Sequence, residues 1–245
     1  MKTAFISPSA AIGQNVTIGQ FVVVEDAAVI GEGCHIGHHA VICAGARLGK
    51  GVEVGIGAVI GKLPKLAKTS TANVTKLPPV QVGDGCIFGA YAVVYAGTRL
   101  GENVMLADHA AVRERCLIGD NVVVGRVATV ENDTSVGART KIQTGAYVTA
   151  YMQVEEDVFI APMVTTTNDN YMGRTEKRFI EKKGATIRRG ARVGGNAILL
   201  PGIVIAPETL IAAGSTVTKD TEEGQIYMGV PARPVRKVNA DELLK

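Results

Sequence analysis

Residues 111–136 read Ala-Val-Arg-Glu-Arg-Cys-Leu-Ile-Gly-Asp-Asn-Val-Val-Val-Gly-Arg-Val-Ala-Thr-Val-Glu-Asn-Asp-Thr-Ser-Val, with an aliphatic residue at every sixth position: Val112, Ile118, Val124, Val130 and Val136. Upstream the series passes through Leu106, Leu100, Val94, Phe88 and Val82, breaks, and resumes from Ile60 back to Ile6. Downstream it runs from Ile142 to Ile160, breaks again, and continues from Ile187 to Val217. Six matches neither the 3.6 of a helix nor the two of an ordinary strand. It is the hexapeptide period of a parallel β-helix, an all-β fold in which three short strands make each coil. Thirty such hexads predict about ten coils.

The remaining hexad positions carry different steric demands. Four residues after each aliphatic stands a small or slim side chain, as in Ala10, Cys34, Ala40, Cys86, Thr98, Ala110, Cys116 and Ser215, suited to a tight interior beside the aliphatic. One residue after the aliphatic is usually glycine, as at Gly13, Gly31, Gly49, Gly83, Gly101 and Gly119. That position is expected at a sharp corner that needs an unhindered backbone.

The chain has 245 residues, 47% of them hydrophobic and only 4% aromatic, which suits one continuous solenoid core over residues 1–220 with a tail over 221–245. The first residues lack the apolar run of a signal peptide and no eighteen-residue apolar stretch exists, so the protein reads as soluble and cytoplasmic, without a membrane partner. A net charge of +3 is too small to make nucleic acid binding the main business. Cys34, Cys43, Cys86 and Cys116 show no Cys-x-x-Cys spacing and read as reduced packing thiols, with no metal expected.

Both breaks are insertions at coil corners, where solenoids build binding faces. Residues 61–79 hold Lys62, Lys65, Lys68 and Lys76 without an acidic residue, and residues 167–185 hold Asn168, Asp169, Tyr171, Arg174, Lys177, Arg178 and Lys182. The first of these suits a diphosphate. Because positions eighteen apart stack on neighbouring coils about 4.8 Å apart, corner residues form columns. In one column the glycine is replaced throughout, by Tyr95-Ala96, Arg113-Glu114, Glu131-Asn132, Thr149-Ala150 and Thr167-Asn168. On that count Glu114 is expected beneath Asn132, with Asp133 adjacent. Two carboxylates and an amide together suit proton transfer and the positioning of an amine, or else a polar ladder that satisfies turn backbone. His109 reads equally as a lone general base or a solvent-facing turn residue. Asn239 to Lys245 reads as a short amphipathic capping helix with Asn239 as its N-cap.

Over its whole length the chain resembles the left-handed β-helix acyltransferases, and Gly229-Val230-Pro231-Ala232-Arg233-Pro234 is similar to the segment that closes their coil stack. Val112-Arg113-Glu114, Val130-Glu131-Asn132-Asp133 and Thr167 to Gly173, together with the lysine-bearing loop, resemble the branch that N-acetylates nucleotide-linked amino sugars, notably dTDP-3-amino-3,6-dideoxyhexoses. The resemblance implies acetyl-CoA as donor, a nucleotide-sugar acceptor and a homotrimer with sites shared between subunits. It also implies that Glu114, Asn132 and Asp133 surround the sugar amine. Lys62, Lys65 and Lys68 are expected on the diphosphate, with Arg113, Glu131, His109, Asn168, Asp169 and Tyr171 as further substrate candidates. Gly195, Ala213, Lys219 and Arg233 are candidates for coenzyme A. Three rivals are a γ-type carbonic anhydrase, which needs three histidines around zinc, an acyltransferase with another amine or hydroxyl acceptor, and a non-catalytic scaffold. His35, His38 and His39 crowd into one turn, which argues against the first.

Overall fold

The computed structural model describes residues 3–70 and 76–244, so residues 71–75 of the first insertion and Lys245 of the tail lie outside the described residues. The chain divides into two compact units, Met1–Asn121 and Val122–Lys245. Both are parallel β-helical stacks, which bears out the fold class predicted from the hexad period.

The first unit contains seventeen described strands, from Phe5–Ile6 to Leu117–Ile118, mostly of two residues. Every third strand pairs in parallel and in register: Phe5 with Val23, Val23 with Val41, Val41 with Val59, Val59 with Val93 and Val93 with Ala111. The second residue of each strand turns inward, so Ile30, Ile36, Ile42, Ile60, Phe88, Val94, Leu106 and Val112 are all but sealed from solvent. The small position sits beside them. Ala40, Ala58, Cys86, Ala110 and Cys116 are fully buried. Cys34 and Cys86 donate their S–H to the carbonyls of Gly49 and Gly101 at 3.2 and 3.1 Å, the packing role foreseen for these thiols. The backbone is satisfied from one turn to the next, as in Val23 N–H to Ala40 O at 3.0 Å and Val41 N–H to Ala58 O at 2.9 Å.

The corner glycines act through space rather than through φ. Residues in the left-handed region stand two places further on, among them Gly33 at φ 70° and His39 at φ 60°. A Cβ on Gly31 would instead strike the carbonyl of Gly49 in the next turn, and one on Gly37 would lie 2.8 Å from the carbonyl of Val54. Two of the three edges are closed in this way, by Gly13, Gly31, Gly49, Gly83 and Gly101 on one and by Gly19, Gly37, Gly55 and Gly89 on the other. The third edge carries Ser7, Glu25, Cys43, Gly61, Tyr95 and Arg113. Apart from Ala107, the side chains at this position in the first unit stand along the third edge.

The second unit repeats the plan over sixteen described strands, from Val123–Val124 to Ala232–Lys237. Thr129 pairs with Tyr147, Lys141 with Phe159 and Phe159 with Arg192, over a sealed core that includes Ile142, Val148, Ile160, Ile187, Leu199 and Ile205. The stack continues past residue 220. Gln225–Gly229 pairs in parallel with Leu210–Ile211 and then in antiparallel fashion with Ala232–Lys237, so the Gly229 to Pro234 segment is the turn of a closing hairpin. The expected capping helix is a single 3₁₀ turn, Ala240–Glu242, and the Asn239 side chain makes no capping hydrogen bond. Three residues are too few to nucleate an α-helix. Contacts from side chains hold the tail instead, Asn239 Nδ2 to Glu242 Oε1 at 2.8 Å and Arg192 Nη1 to Glu242 Oε2 at 3.2 Å. Among the described residues no helix is long and apolar enough to cross a membrane.

Ile142 is fully enclosed, so Ile142→Ala is expected to cost about 2–5 kcal/mol, read as a lower denaturant midpoint at unchanged slope.

Candidate functional site

The open edge of the first unit is where the first insertion leaves the stack. At Val59–Lys62 the register with Val93–Tyr95 slips between Ile60 and Lys62, so that Lys62 rather than Gly61 faces Tyr95. Gly61 adopts φ 94° at this bulge, and a Cβ there would press on Cys43 and Val80 at 3.2 Å. The Lys62 carbonyl accepts the Ala96 N–H at 3.0 Å and anchors the exit.

Beneath the insertion lies a cavity of about 730 Å³. Lys62, Lys65, Lys76, Glu25 and Cys43 line it, with Leu63, Leu77 and Pro79 supplying apolar wall. Three ammonium groups against one carboxylate make the cavity cationic. Glu25 is partly spoken for, since its Oε2 accepts the Ala44 N–H at 2.9 Å. Burial pushes the Cys43 thiol up to about 11, with Glu25 adding to the rise and Lys62 opposing it, so it is a neutral S–H at physiological pH. Lys68 is exposed and is not among the lining residues.

Behind the cavity the same edge carries a chain of charged contacts. Lys62 Nζ lies 5.3 Å from the centre of the Tyr95 ring, and the Arg113 guanidinium carbon lies 4.9 Å from the same centre. Arg113 grips Glu114 in bidentate fashion, Nε to Oε2 at 2.9 Å and Nη2 to Oε1 at 3.1 Å. The Glu114 side chain is only 3% exposed. In this arrangement both oxygens of the Glu114 carboxylate accept from Arg113.

In the second unit the corresponding edge carries Glu131, Asn132, Thr149 and Thr167. Asn132 Nδ2 donates to Asp133 Oδ2 at 2.5 Å, and Asp133 stands at φ 56°. Both are half-buried, as is Glu131. The second insertion leaves after Thr165–Thr166. Its candidates make contacts within the chain: Asn168 Nδ2 donates to the Ala150 carbonyl at 3.3 Å, while Asp169 accepts the N–H groups of Tyr171 at 2.8 Å and Gly173 at 3.0 Å and faces Arg178 Nε at 3.1 Å. Tyr171 donates its hydroxyl to Glu181 Oε2 at 2.5 Å. Asp169 is held below the usual aspartate value, first by the Gly173 N–H, then by the Tyr171 N–H and the charges of Arg178 and Lys182, with burial opposing.

His109 lies outside both edge clusters. It stacks on Tyr91 with ring centres 5.4 Å apart, at a left-handed turn position with φ 58°, the arrangement of a turn residue rather than of a base aimed into the cavity. His39 stacks on Phe21 in the same way at 5.0 Å. Among the described residues no group of three His, Cys, Asp or Glu side chains converges to hold a metal ion.

Of the residues considered for coenzyme A, Ala213 lines a small groove of about 170 Å³ with Phe159, Ala161, Arg192 and Gly194. Gly195 is adjacent and accepts the Gly214 N–H at 2.8 Å. Lys219 and Arg233 are exposed and do not line this groove. Glu25 and Cys43 were missed by the sequence reading, which followed the open edge only from Tyr95 onward. Counting one place past Val24 and Ile42 would have found both.

Comparison with known proteins agrees with the fold. Models described as bacterial transferase hexapeptide (six repeats) and hexapeptide repeat of succinyl-transferase match residues 9–44 and residues 27–62, 79–107 and 114–150, respectively. The carnitine operon protein CaiE of Escherichia coli K12 is 45% identical over 62 residues, 24% of this chain and 32% of that protein. Galactoside O-acetyltransferase of the same strain is 37% identical over 54 residues, 22% of this chain and 27% of that protein. The chain thus spans about a third of the length of the curated relatives it matches. The solved Arabidopsis UDP-N-acetylglucosamine acyltransferase superposes with a TM-score of 0.66 over 98% of this chain and 74% of its own, at 16% identity. The sequence matches support hexapeptide repeats over these stretches, and the superposition supports the β-helix fold.

Asp169→Ala is expected to free the second insertion, measured as a loss of hydrogen-exchange protection at the Tyr171 and Gly173 amides near pH 7. Because the folded carboxyl titrates below its unfolded value, the protection it confers is present above the ordinary aspartate range of about 3.9. In the unsubstituted protein it is expected to fade as pH falls through that lowered value.

Proposed function

We propose that this chain is an acyl-CoA-dependent N-acetyltransferase that acts on the amine of a nucleotide-linked amino-deoxy sugar, such as a dTDP-3-amino-3,6-dideoxyhexose. The observation that carries the reading is the cationic, apolar-walled cavity on the open edge, lined by Lys62, Lys65 and Lys76. Its charge suits a diphosphate and its Leu63, Leu77 and Pro79 surfaces suit a nucleoside. Lys68, on the same insertion, meets the ligand from outside the cavity.

The amine falls to Asn132 and Asp133. Asp133 accepts a hydrogen bond from the neutral amine and directs its lone pair, while Asn132 steadies the tetrahedral oxyanion. The nitrogen attacks the thioester carbonyl, the C–S bond breaks, and coenzyme A leaves as a thiolate that takes the proton lost by nitrogen. An activated thioester needs orientation more than a strong base, and orientation alone is worth several kcal/mol, on the order of 7–11 in the best intramolecular cases. Glu114, considered for the amine as well, contributes through Arg113 in this arrangement. Ala213 and the groove around it are assigned to coenzyme A, with Gly195, Lys219 and Arg233 as flanking contacts. A homotrimer with sites shared between subunits completes the reading; the outward-facing Val23, Val41, Val59 and Val93 on one face of the first unit support such association.

A second reading, transfer to a sugar hydroxyl, is favoured by the match to galactoside O-acetyltransferase. A thiol-release assay with acetyl-CoA and paired amino and hydroxy nucleotide sugars separates the two: release only with the amine supports the first, only with the hydroxyl the second, and none with either removes both. Asn132→Ala is expected to lower kcat by about 100-fold with KM little changed. Glu114→Ala, by loosening Arg113, is expected to raise KM for the nucleotide sugar more than it lowers kcat.

A further inference from the structure

We infer that Tyr95 is a positioning residue, whose ring holds the Lys62 ammonium at the cavity wall so that it meets phosphoryl oxyanions. The inference rests on reading that cavity as a diphosphate site and goes one step deeper, to what sets the geometry of its leading cation.

Three observations carry it. The bulge at Gly61 brings Lys62, rather than the glycine, opposite Tyr95, so this irregular pairing delivers a cation to an aromatic ring. Lys62 Nζ then lies 5.3 Å from the ring centre, inside the range of about 6 Å over which an ammonium is attracted to the π face. The same ring is also approached by Arg113 at 4.9 Å, and two cations sharing one ring repel each other unless one of them is neutralised. Glu114 does this, taking the Nε and Nη2 edge of Arg113 from an almost sealed position. The net positive charge on the ring is thus that of Lys62, the member of the cluster that lines the cavity. A lysine side chain on an exposed loop loses rotamer freedom when it grips a ligand; one already held over a ring loses less.

Tyr95 touches no reacting atom in this scheme, so its substitution acts on affinity. Inorganic pyrophosphate is the probe, titrated calorimetrically against the full chain and four variants whose folding is checked by thermal unfolding. Tyr95→Leu is expected to weaken binding about fivefold to tenfold, whereas Tyr95→Phe, which keeps the ring, stays within about twofold of the unsubstituted protein. In a Lys62→Gln background, Tyr95→Leu is expected to add little, since the partner it positions is gone. In the transfer assay Tyr95→Leu raises KM for the nucleotide sugar and leaves kcat nearly unchanged. Equal binding by the Leu variant and the unsubstituted protein overturns the inference while leaving the diphosphate site standing. Equal losses in the Phe and Leu variants overturn it in favour of the hydroxyl. An undiminished Leu effect in the Lys62→Gln background overturns it as well. If the unsubstituted protein does not bind pyrophosphate, the diphosphate reading of the cavity fails first and this inference falls with it. Should Tyr95→Leu not fold, Tyr95→Met is used under the same criteria.

Discussion

The constraint on which everything else depends is the in-register parallel stacking of residues eighteen apart, for example Val23 on Val41 and Val41 on Val59. Each turn must satisfy its backbone N–H and C=O groups on the turns above and below, and this holds neighbouring chains at one separation all the way round. At the corners held by Gly31 and Gly37 the separation leaves no room for a Cβ. Function is thereby restricted geometrically. In the second unit Gln143, Glu155 and Arg188 occupy corners of the other two edges, but in the first a side chain with chemistry to perform stands at the corners of the third edge, or on the insertion that leaves the stack there.

Both insertions do leave there, each within its own unit: the first after Ile60 and the second after Thr166. They serve different ends. The first roofs a cavity with three lysines, whereas the second is tied down by Asp169, whose carboxylate gathers two backbone N–H groups and faces Arg178. An aspartate so placed orders the loop around it. Tyr171 is likewise committed to Glu181. The stretch Thr167 to Gly173 is thus ordered by its own polar side chains.

The sequence disclosed the architecture almost completely, because a β-helix writes its period directly into the chain. Ile142, Val148 and Ile160 are buried where the count of six puts them, and Cys34, Cys86 and Cys116 take the small interior position. The meaning of the corner glycines was harder to see, since close approach and left-handed φ both select glycine, and only coordinates separate Gly31 from Gly33. The open edge was visible from Tyr95 onward. Its earlier members, Glu25 and Cys43, were hidden behind an insertion of irregular length that interrupts the arithmetic. The pairing of Arg113 with Glu114 was not legible either, because adjacent residues in a strand point to opposite faces, and only at a corner do they turn toward one another.

That pair bears on how the edge was shaped. Taking a carboxylate and a guanidinium out of water costs several kcal/mol per ion, which their mutual attraction roughly repays, so a buried pair is poor evidence of a gain in stability. The neighbouring corners show that Gly61 and Ala96 fit this edge without charge. A fold that needed only stability had cheaper residues available at 113 and 114. What the pair does supply is orientation: a planar guanidinium locked on one edge by a nearly sealed carboxylate, lying against the ring that also carries Lys62. The charges are arranged so that a guanidinium neutralised by a nearly sealed carboxylate lies against one side of the ring, while Lys62, on the same ring, joins Lys65 and Lys76 at the cavity.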